Sequence, residues 1–326
     1  MKTILISGGA GYLGTELTKF LLKKHNIIVY DKFYFSWLKK NKNKLKFKNR
    51  LKFIKKGIDE AAIKDFSNVD IVCDLNGIPN DPSSEINPKQ TWDVNFYGRY
   101  KFAKKAKQSG VKRYIFNSTC AVYGYNKKKV FEKSKKNPIS TYARANYKAE
   151  KFIYNMRSEK FKVNVFRNST LFGFSNTLRL DLVINIFVYN LIKNQKILID
   201  GNGDQYRPFI AVKDICRIYD ILISKKKLNS FICNLVSFNS KIKPLAFKII
   251  KILGKKRNLI ELNKKFYDNR NYFVDSSNFR KYFKYFKFSN FKKEILNLKK
   301  NIIINNIKKD KSTVRVKFYK RKFKTN

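Results

Sequence analysis

The chain has 326 residues, of which 43% are hydrophobic and 15% aromatic, and its formal net charge is +50. This composition is typical of a globular protein with a large core and excludes a disordered chain. The most apolar stretch, residues 182–192, contains Asn185 and Asn190 and is shorter than the ~18 residues needed to cross a bilayer. The amino terminus lacks an apolar segment of signal-peptide length, which predicts a cytoplasmic protein. The four cysteines have no paired spacing and predict free thiols, and the single histidine excludes a multi-histidine metal site, so no metal is expected.

Strands and helices are predicted to alternate along the first half of the chain. Short apolar runs predict strands at residues 3–6, 27–30, 51–54, 70–75, 112–117 and 162–166. The helical spacing of apolar residues predicts helices at residues 15–24, 92–109 and 142–157. Because strands that alternate with helices imply parallel crossover connections, the pattern predicts an α/β fold with a doubly wound parallel sheet. After Gly173 the alternation becomes irregular, which predicts a smaller additional region.

A glycine-rich turn joins the first predicted strand to the first predicted helix. Gly8, Gly11 and Gly14 have the GxxGxxG spacing, and glycine permits a sharp turn and a close approach of bare backbone to a pyrophosphate. The amino terminus of the helix then offers free N–H groups to the phosphates. Asp31 closes the second strand about 20 residues further on, where its carboxylate can accept both hydroxyls of an adenosine ribose. This arrangement predicts NAD rather than NADP as the cofactor, since the carboxylate would repel a 2′-phosphate.

Further along the chain, a series of ordered segments resembles the extended short-chain dehydrogenase/reductase family, in its NAD-dependent epimerase/dehydratase group. The resemblance covers residues 1–298 and is carried by residues 8–14, 75–77, 94–98, 118–124, 142–146, 167–173, 207–214 and 270–275. It implies a Rossmann-type NAD-binding domain at residues 1–167, with a returning strand near residues 230–236. It further implies a smaller, interleaved substrate-binding region at residues 168–300, a nucleotide-sugar substrate and a possible homodimer. Residues 301–326 are predicted to form a basic tail beyond the folded body.

The resemblance assigns the chemistry to Thr119 and Tyr142. Removing a hydride from a sugar carbon leaves a carbonyl only if the hydroxyl proton also leaves, and a tyrosine can accept that proton if its pKa falls well below ~10. Thr119 would hold the same oxygen by a hydrogen bond. The family pattern has a lysine four residues after the tyrosine, on the same helix face, where its charge lowers the tyrosine pKa. This chain has Asn146 there, an uncharged group that can still bind a ribose hydroxyl, so a non-catalytic dinucleotide-binding protein remains an alternative.

The resemblance also implies contacts with the cofactor and the substrate. Cofactor-binding residues are expected at Gly8, Gly11, Tyr12, Leu13, Gly14, Asp31, Ile58, Asp59, Leu75, Asn76, Gly77, Asn95, Asn117, Tyr142 and Asn146. Substrate-binding residues are expected at Asp81, Thr119, Thr170, Asn185, Arg207 and Arg270. The two arginines are expected on the pyrophosphate of the nucleotide-sugar, because guanidinium groups suit phosphate oxygens.

The residues after Thr119 bear on the type of reaction. The 4,6-dehydratases of the family carry an Asp–Glu pair directly after the catalytic threonine, which moves a proton and expels water. This chain has Cys120 and Ala121 at those positions, and neither side chain acts as a general acid at neutral pH. We therefore expect an epimerase first, and a nucleotide-sugar reductase or dehydrogenase second.

The basic charge suggests one further function, because a basic surface attracts nucleic acid whatever its sequence. Residues 311–324 mix lysines with three aromatic residues and are the best place for such a site. The charge excess runs through the whole chain, however, and residues 244–326 hold 25 Lys and Arg against 5 Asp and Glu. Lys, Asn, Ile, Phe and Tyr are abundant together, as an AT-rich coding sequence would produce. We therefore do not expect nucleic-acid binding, and keep a nucleic-acid-binding tail as the alternative.

Overall fold

The structure, a computed structural model, describes residues 1–225, 228–263 and 271–323. Within these residues the strands are β1 (Thr3–Ser7), β2 (Asn26–Asp31), β3 (Leu51–Lys55), β4 (Ile71–Asp74), β5 (Arg113–Thr119), β6 (Lys162–Asn168), β7 (Thr170–Phe172), β8 (Ile197–Asp200), β9 (Tyr206–Ala211), β10 (Phe231–Leu235), β11 (Phe238–Lys241) and β12 (Ile260–Asn263). The α-helices are α1 (Tyr12–Leu21), α2 (Trp37–Lys40), α3 (Asp81–Ser84), α4 (Pro88–Trp92), α5 (Arg99–Gln108), α6 (Thr141–Asn155), α7 (Val183–Ile192), α8 (Val212–Ser224), α9 (Ile242–Leu253), α10 (Ser277–Tyr282), α11 (Phe291–Ile304) and α12 (Arg315–Lys322).

A parallel sheet forms the centre of the molecule. Its strand order across the described residues is β10-β6-β5-β4-β1-β2-β3, and every neighbouring pair is parallel. The chain winds outwards from β1 in one direction through β2 and β3, and then in the other through β4, β5 and β6. The strand order therefore reverses beside β1, and ligands of such sheets bind outside the carboxyl ends of the strands at that point.

Side chains of β1 alternate between the two faces of the sheet and join two separate cores. Ile4 and Ile6 pack on one face with apolar residues of α1 and α8. Leu5 packs on the opposite face with apolar residues of α5 and α6. Because successive side chains of a strand point to opposite faces, a strand buried on both sides is a continuous apolar run, as residues 3–6 are in the sequence. The doubly wound α/β fold predicted from the sequence is confirmed by this arrangement.

The carboxyl-terminal half of the chain contributes two small sheets and returns once to the large one. β7, β9 and β11 form one small sheet, and β8 and β12 form the other. β10 leaves this region and pairs with β6 at the edge of the large sheet. Helices α7, α9 and α11 pack against one another beside the small sheets. The cleft between this region and the carboxyl ends of β1, β4 and β5 positions the site described below.

The segment predicted as one helix at residues 92–109 is built differently. Helix α4 is followed by a π-helical stretch, Asp93–Gly98, and then by α5. Gly98 is needed at the junction, because a Cβ there would lie 2.7 Å from Cγ2 of Ile58. A π-helical turn adds one residue per turn and changes which side chains face the sheet, and such turns are frequent at functional sites. Arg99, the first residue of α5, directly follows this stretch and is buried at the wall of the cleft.

The described part of the predicted basic tail, residues 301–323, is folded, whereas we expected residues 301–326 to lie beyond the folded body. Helix α11 continues to Ile304, and the backbone N–H of Leu180 donates a hydrogen bond of 2.7 Å to the carbonyl of Thr313. The chain then forms α12, whose Arg315 and Tyr319 are buried. This helix was not predicted from the lysine-rich sequence, because only a few of its residues are apolar.

Candidate active site

A cleft of about 770 Å³ lies at the carboxyl ends of the central strands. This volume is typical of sites for cofactors and small substrates. Most of the residues predicted to bind cofactor or substrate line it, namely Gly8, Gly11, Tyr12, Leu13, Gly14, Asp31, Ile58, Asp59, Leu75, Asn76, Gly77, Asp81, Asn117, Thr119, Tyr142, Asn146, Thr170 and Arg207. The fold therefore brings together residues that are far apart in the sequence.

The glycine turn forms one end of the cleft, and its geometry requires glycine at two positions. Gly8 has φ +69°, and a Cβ there would lie 2.9 Å from the backbone of Asn76. A Cβ on Gly14 would lie only 2.3 Å from the carbonyl oxygen of Gly8. Helix α1 begins at Tyr12, within this turn, so the free N–H groups of its first turn lie beside the space that these glycines leave open. This cradle fits the diphosphate of a dinucleotide.

The Asp31 carboxylate lies next to the glycine turn at the end of β2. It accepts hydrogen bonds from the backbone N–H groups of Ala10 (3.1 Å) and Phe33 (2.7 Å), which fix its orientation. Burial raises the pKa of Asp31, and these two hydrogen bonds partly offset the rise. The neighbouring Lys32 also lines the cleft, and its ammonium lies 3.6 Å from a carboxylate oxygen of Asp59. The carboxylate is thus held in a fixed orientation in the cleft, beside the glycine turn.

Two residues predicted to contact ligands lie behind the walls of the cleft instead. The Asn95 side chain is fully buried and exchanges two hydrogen bonds with the backbone of Ile78, so it supports the loop that follows β4. Asn185 is also fully buried, and its amide donates to the hydroxyl of Tyr12 (3.0 Å) and the carbonyl of Arg179 (3.0 Å). Both amides therefore hold neighbouring segments of the protein in place. The sequence pattern alone does not show whether such an amide contacts a ligand or the protein. Arg270, which was also predicted to bind the substrate, lies outside the described residues.

Thr119 and Tyr142 meet in the middle of the cleft. Thr119 ends β5, and its side chain is hydrogen-bonded to that of Tyr142. Tyr142 stands in the first turn of α6, where its backbone N–H donates to the hydroxyl of Ser84 (3.1 Å). Ser140 caps the same helix by accepting a hydrogen bond from the N–H of Ala143 (3.1 Å). The tyrosine is therefore held at a fixed point by both its backbone and its hydroxyl.

The electrostatic surroundings of Tyr142 act in opposite directions on its pKa. Burial raises the pKa, and this is the largest effect. The hydrogen bond with Thr119 lowers it, the Asp81 carboxylate raises it, and the guanidinium groups of Arg179 and Arg99 lower it. A cationic environment is thus present around the tyrosine although no lysine stands at position 146.

Asn146 faces a buried arginine rather than standing alone. Its amide nitrogen donates to the carbonyl of Tyr142 (2.8 Å), and its amide oxygen accepts from Nη1 of Arg99 (2.8 Å). Arg99 forms an ion pair of 2.9 Å through Nε with Asp74 and donates through Nη2 to the carbonyl of Asn117 (3.0 Å). Both Arg99 and Asn146 line the cleft. The sequence analysis missed Arg99, because nothing in its local sequence distinguishes it from the many other basic residues.

A second buried ion pair lines the cleft on the side opposite β5. Arg179 and Asp181 are joined by a contact of 2.8 Å, and Asp181 also accepts a hydrogen bond from Asn80 (2.6 Å). Burial raises the pKa of Asp181, but the Arg179 guanidinium outweighs this and holds the pKa below its usual range. The sequence analysis missed this pair, whose residues follow the irregular region after Gly173.

Helix α12 forms another part of the cleft wall. Arg315 stacks on the ring of Phe35 at 3.6 Å and donates to the carbonyl of Thr177 (3.2 Å). Phe318 contacts the rings of Tyr34 and Phe35, so the helix crosses from the segment after β2 to the segment after β7. Burial lowers the pKa of Arg315 to about 10, which leaves it charged at neutral pH. Among the described residues no carboxylate lies within ion-pair distance of Arg315.

Comparison with known proteins matches this architecture. The family model "NAD dependent epimerase/dehydratase family" matches residues 4–233. The dTDP-D-glucose 4,6-dehydratase of Homo sapiens is 28% identical over 261 residues, covering 77% of this chain and 74% of the relative. The uncharacterized UDP-glucose epimerase YtcB of Bacillus subtilis (strain 168) is 27% identical over 234 residues, covering 69% of this chain and 73% of the relative.

A solved structure shows the same fold over nearly the whole chain. The UDP-glucuronic acid 4-epimerase of Bacillus cereus, in complex with UDP-glucuronic acid and NAD, superposes with a TM-score of 0.82 at 21% identity. The match covers 93% of this chain and 99% of that structure. In the part of the chain that the structure describes, no helix is long and apolar enough to span a membrane. The family match, the Rossmann-type sheet and the cradle for a dinucleotide agree, and the chain belongs to the NAD-dependent epimerase/dehydratase family, which confirms NAD as its cofactor.

Proposed function

We propose that this chain is a nucleotide-sugar epimerase that works through a transient ketone. The observation that carries the proposal is the hydrogen-bonded pair of Thr119 and Tyr142 in the cleft, with Cys120 and Ala121 directly after the threonine. This combination has the groups needed to move a hydroxyl proton and lacks those expected for expelling water.

The residues would divide the chemistry as follows. NAD held in the cleft would supply the hydride chemistry at a sugar carbon. Tyr142 would take the proton from the hydroxyl on that carbon and give it back, and Thr119 would hold the oxygen in line. The glycine turn and Asp31 would hold the cofactor, and Asn146 would bind at its ribose. Thr170 and Asp81 would contact the substrate, with Arg207 on its pyrophosphate.

The acid groups of the cleft also favour an epimerase over a dehydratase. The Cys120 thiol donates to the backbone carbonyl of Arg167 (3.2 Å), and burial raises its pKa far above neutral. Asp181 is ionised by its pair with Arg179, so it is a poor proton donor. Asp81 is the carboxyl group in the cleft that could replace the missing acid, since it is close enough to Tyr142 to affect its pKa. A dehydratase that uses Asp81 is therefore the second candidate, favoured also by the human relative.

A panel of nucleotide-sugars incubated with the protein and NAD separates these activities. An epimerase gives a product of unchanged mass with an inverted centre in its NMR spectrum. A dehydratase gives a product lighter by one water. A dehydrogenase releases NADH in proportion to a product that has lost two hydrogen atoms, and a reductase consumes NADH in the reverse reaction. Loss of water, abolished by Asp81→Asn, would refute the epimerase and favour the second candidate.

A binding protein without catalytic activity is the remaining possibility, and it concerns the basic carboxyl terminus. Helix α12 packs on the cleft through Arg315 and Phe318, which argues against a free arm for nucleic acid. Nucleic-acid affinity that falls steeply with salt and disappears on deletion of residues 311–326 would support this possibility. Turnover of any nucleotide-sugar would exclude the non-catalytic form. A homodimer is still expected from the family resemblance.

A further inference from the structure

The missing lysine is the main departure of this chain from the family pattern. In that pattern the lysine stands one helical turn after the tyrosine, and its charge favours the ionised tyrosine. Asn146 occupies the position here and is uncharged. Because burial raises the pKa of Tyr142, the need for a nearby positive charge is greater rather than smaller. A cation near Asn146 would meet this need.

Arg99 is the cation that lies closest to this position in the hydrogen-bond network. Its Nη1 is 2.8 Å from the amide oxygen of Asn146, and the Asn146 amide nitrogen is 2.8 Å from the carbonyl of Tyr142. The guanidinium carbon lies 3.9 Å from the centre of the Phe116 ring. Since guanidinium donates but cannot accept, the orientation of the Asn146 amide is fixed, with its oxygen towards Arg99. A neutral asparagine is the residue type that can bridge a guanidinium and a carbonyl in this way.

The charge of Arg99 is only partly neutralised by its partner. Asp74 pairs with Nε of Arg99, but the same carboxylate also accepts hydrogen bonds from Ser7 (2.8 Å), from the backbone N–H of Asn76 (3.2 Å) and from Tyr114 (2.8 Å). Asp74 therefore lies behind Arg99, away from Asn146, with its charge shared among several donors. The Nη1 side of the guanidinium faces Asn146 and the cleft.

We propose that Arg99, linked through Asn146, provides the positive charge for ionised Tyr142 that a lysine at position 146 would otherwise bring. The proposal rests on the function proposed above, in which Tyr142 takes a proton from the substrate. Arg99 is then a positioning residue, since it acts on the tyrosine through its electric field and through Asn146. Arg99 stands directly after the π-helical stretch, as the first residue of α5, and lines the cleft.

Other groups around Tyr142 also affect its charge and must be kept constant in a test. Asp81 of α3 opposes ionisation, Arg179 of the segment after β7 favours it more than Arg99 does, and the hydrogen bond with Thr119 of β5 also favours it. None of these contacts Arg99 in the described residues. Substitutions at Arg99 and its partner Asp74 can thus change one influence at a time.

The test uses the double substitution Arg99→Gln with Asp74→Asn, which removes both charges and leaves no buried carboxylate unpaired. The pKa of Tyr142 is measured as the difference in tyrosinate absorbance between each protein and the same protein carrying Tyr142→Phe. We expect the pKa to rise by about one unit, and turnover at neutral pH to fall about tenfold with it. The matched control is Arg167→Gln with Glu150→Gln, another buried pair, which does not line the cleft. The control is expected to leave the pKa of Tyr142 unchanged.

A triple variant completes the test and guards against misfolding of the double variant. Adding Asn146→Lys to Arg99→Gln and Asp74→Asn recreates the family arrangement, and we expect it to have the native pKa of Tyr142. If Arg99 contributed nothing, the new lysine would instead lower this pKa by about one unit below the native value. That result, or a double variant that folds and titrates like the native protein, would overturn the proposal. The absorbance measurement needs no substrate, so it stays valid if no nucleotide-sugar is turned over and the proposed function fails.

Discussion

Two walls of the same cleft differ in how they are built. The sheet wall consists of the glycine turn (residues 8–14), Asp31, Thr119 and Tyr142. Each of these lies at the carboxyl end of a central strand or in the first turn of a helix. The carboxyl-terminal wall consists of α12, which is more than 150 residues further along the chain and packs on Phe35 and Thr177. The sheet wall depends on backbone geometry, which requires particular residues close together in the sequence and so produces a recognisable sequence pattern. The carboxyl-terminal wall depends on packing between segments that are far apart in the sequence, and such packing produces no local sequence pattern.

The difference suggests that the two walls respond differently to substitution. In the sheet wall a backbone atom is the obstacle, so even one added methyl group displaces the main chain. In the carboxyl-terminal wall the contacts are made by long side chains such as Arg315, which can rearrange. The predictions below test this contrast.

The largest effect is expected for Gly14→Ala. The added Cβ would lie 2.3 Å from the carbonyl oxygen of Gly8 and 2.6 Å from Cα of Gly9, so the cradle must open. We expect NAD binding to be lost in calorimetry and the free energy of unfolding to fall by about 1–3 kcal/mol. Gly110→Ala is the control, because Gly110 has φ +83°, does not line the cleft, and a Cβ there would have no described atom within 4 Å. Equal NAD affinity of the two variants would contradict the steric argument.

Asp31→Ala is expected to weaken NAD binding by about 10- to 100-fold, because hydrogen bonds to a charged group are worth about 1.5–3 kcal/mol. The same change should narrow the preference for NAD over NADP, since the carboxylate that repels a 2′-phosphate is removed. Affinities for both dinucleotides, measured by fluorescence quenching, check this. A native protein that binds both equally well would show that Asp31 does not face the ribose, and Lys32 would then be the residue to examine.

A smaller effect is expected for Arg315→Gln in the carboxyl-terminal wall. Arg315 is a buried cation that lines the cleft, and among the described residues no carboxylate lies within ion-pair distance of it. An anionic ligand in the cleft would therefore bind more tightly by pairing with Arg315. We expect about tenfold weaker binding of NAD or of a nucleoside diphosphate, measured separately to show which diphosphate it meets. Lys317→Gln on the same helix is the control, because Lys317 is exposed. Unchanged affinity for both ligands would restrict Arg315 to a structural role.

The smallest effect concerns pH. Burial raises the folded-state pKa of Asp31 above its ordinary value near 4, and only the ionised carboxylate accepts both ribose hydroxyls. NAD affinity should therefore be constant at neutral pH and fall as the pH drops through the raised pKa, before ordinary carboxylates are protonated. Titration of the NAD dissociation constant between pH 7 and pH 4 checks this, and Asp31→Asn should remove the dependence.

The contrast between the walls also explains how much could be predicted from the sequence. The apolar run at residues 3–6 and the glycines after it predicted β1, α1 and the cradle, because sterics leave few alternatives there. The same reasoning predicted Asp31 at the strand end. It did not predict that the side chains of Asn95 and Asn185 are fully buried and hydrogen-bonded within the protein, because a pattern does not reveal whether an amide faces the cleft or the loop behind it.

Residues fixed only by tertiary packing could not be predicted. Arg99 is one basic residue among 73 Lys and Arg, and its position depends on a π-helical turn that apolar spacing does not encode. Arg179 and Asp181 follow an irregular segment with no periodicity. Helix α12 is rich in lysine, so its sequence lacks the regular apolar spacing that would predict a helix packed on the rest of the protein.

Both walls are proposed to serve one catalytic centre, and the variant Tyr142→Phe tests that claim most directly. It removes one hydroxyl and little packing, so NAD binding should stay within about twofold of the native value, whereas turnover of the substrate found in the nucleotide-sugar panel should fall by at least about 100-fold. Both quantities are measured on the same preparation. If Tyr142→Phe retains a rate close to the native one, the proton is taken by another group and the proposed chemistry of this cleft is wrong.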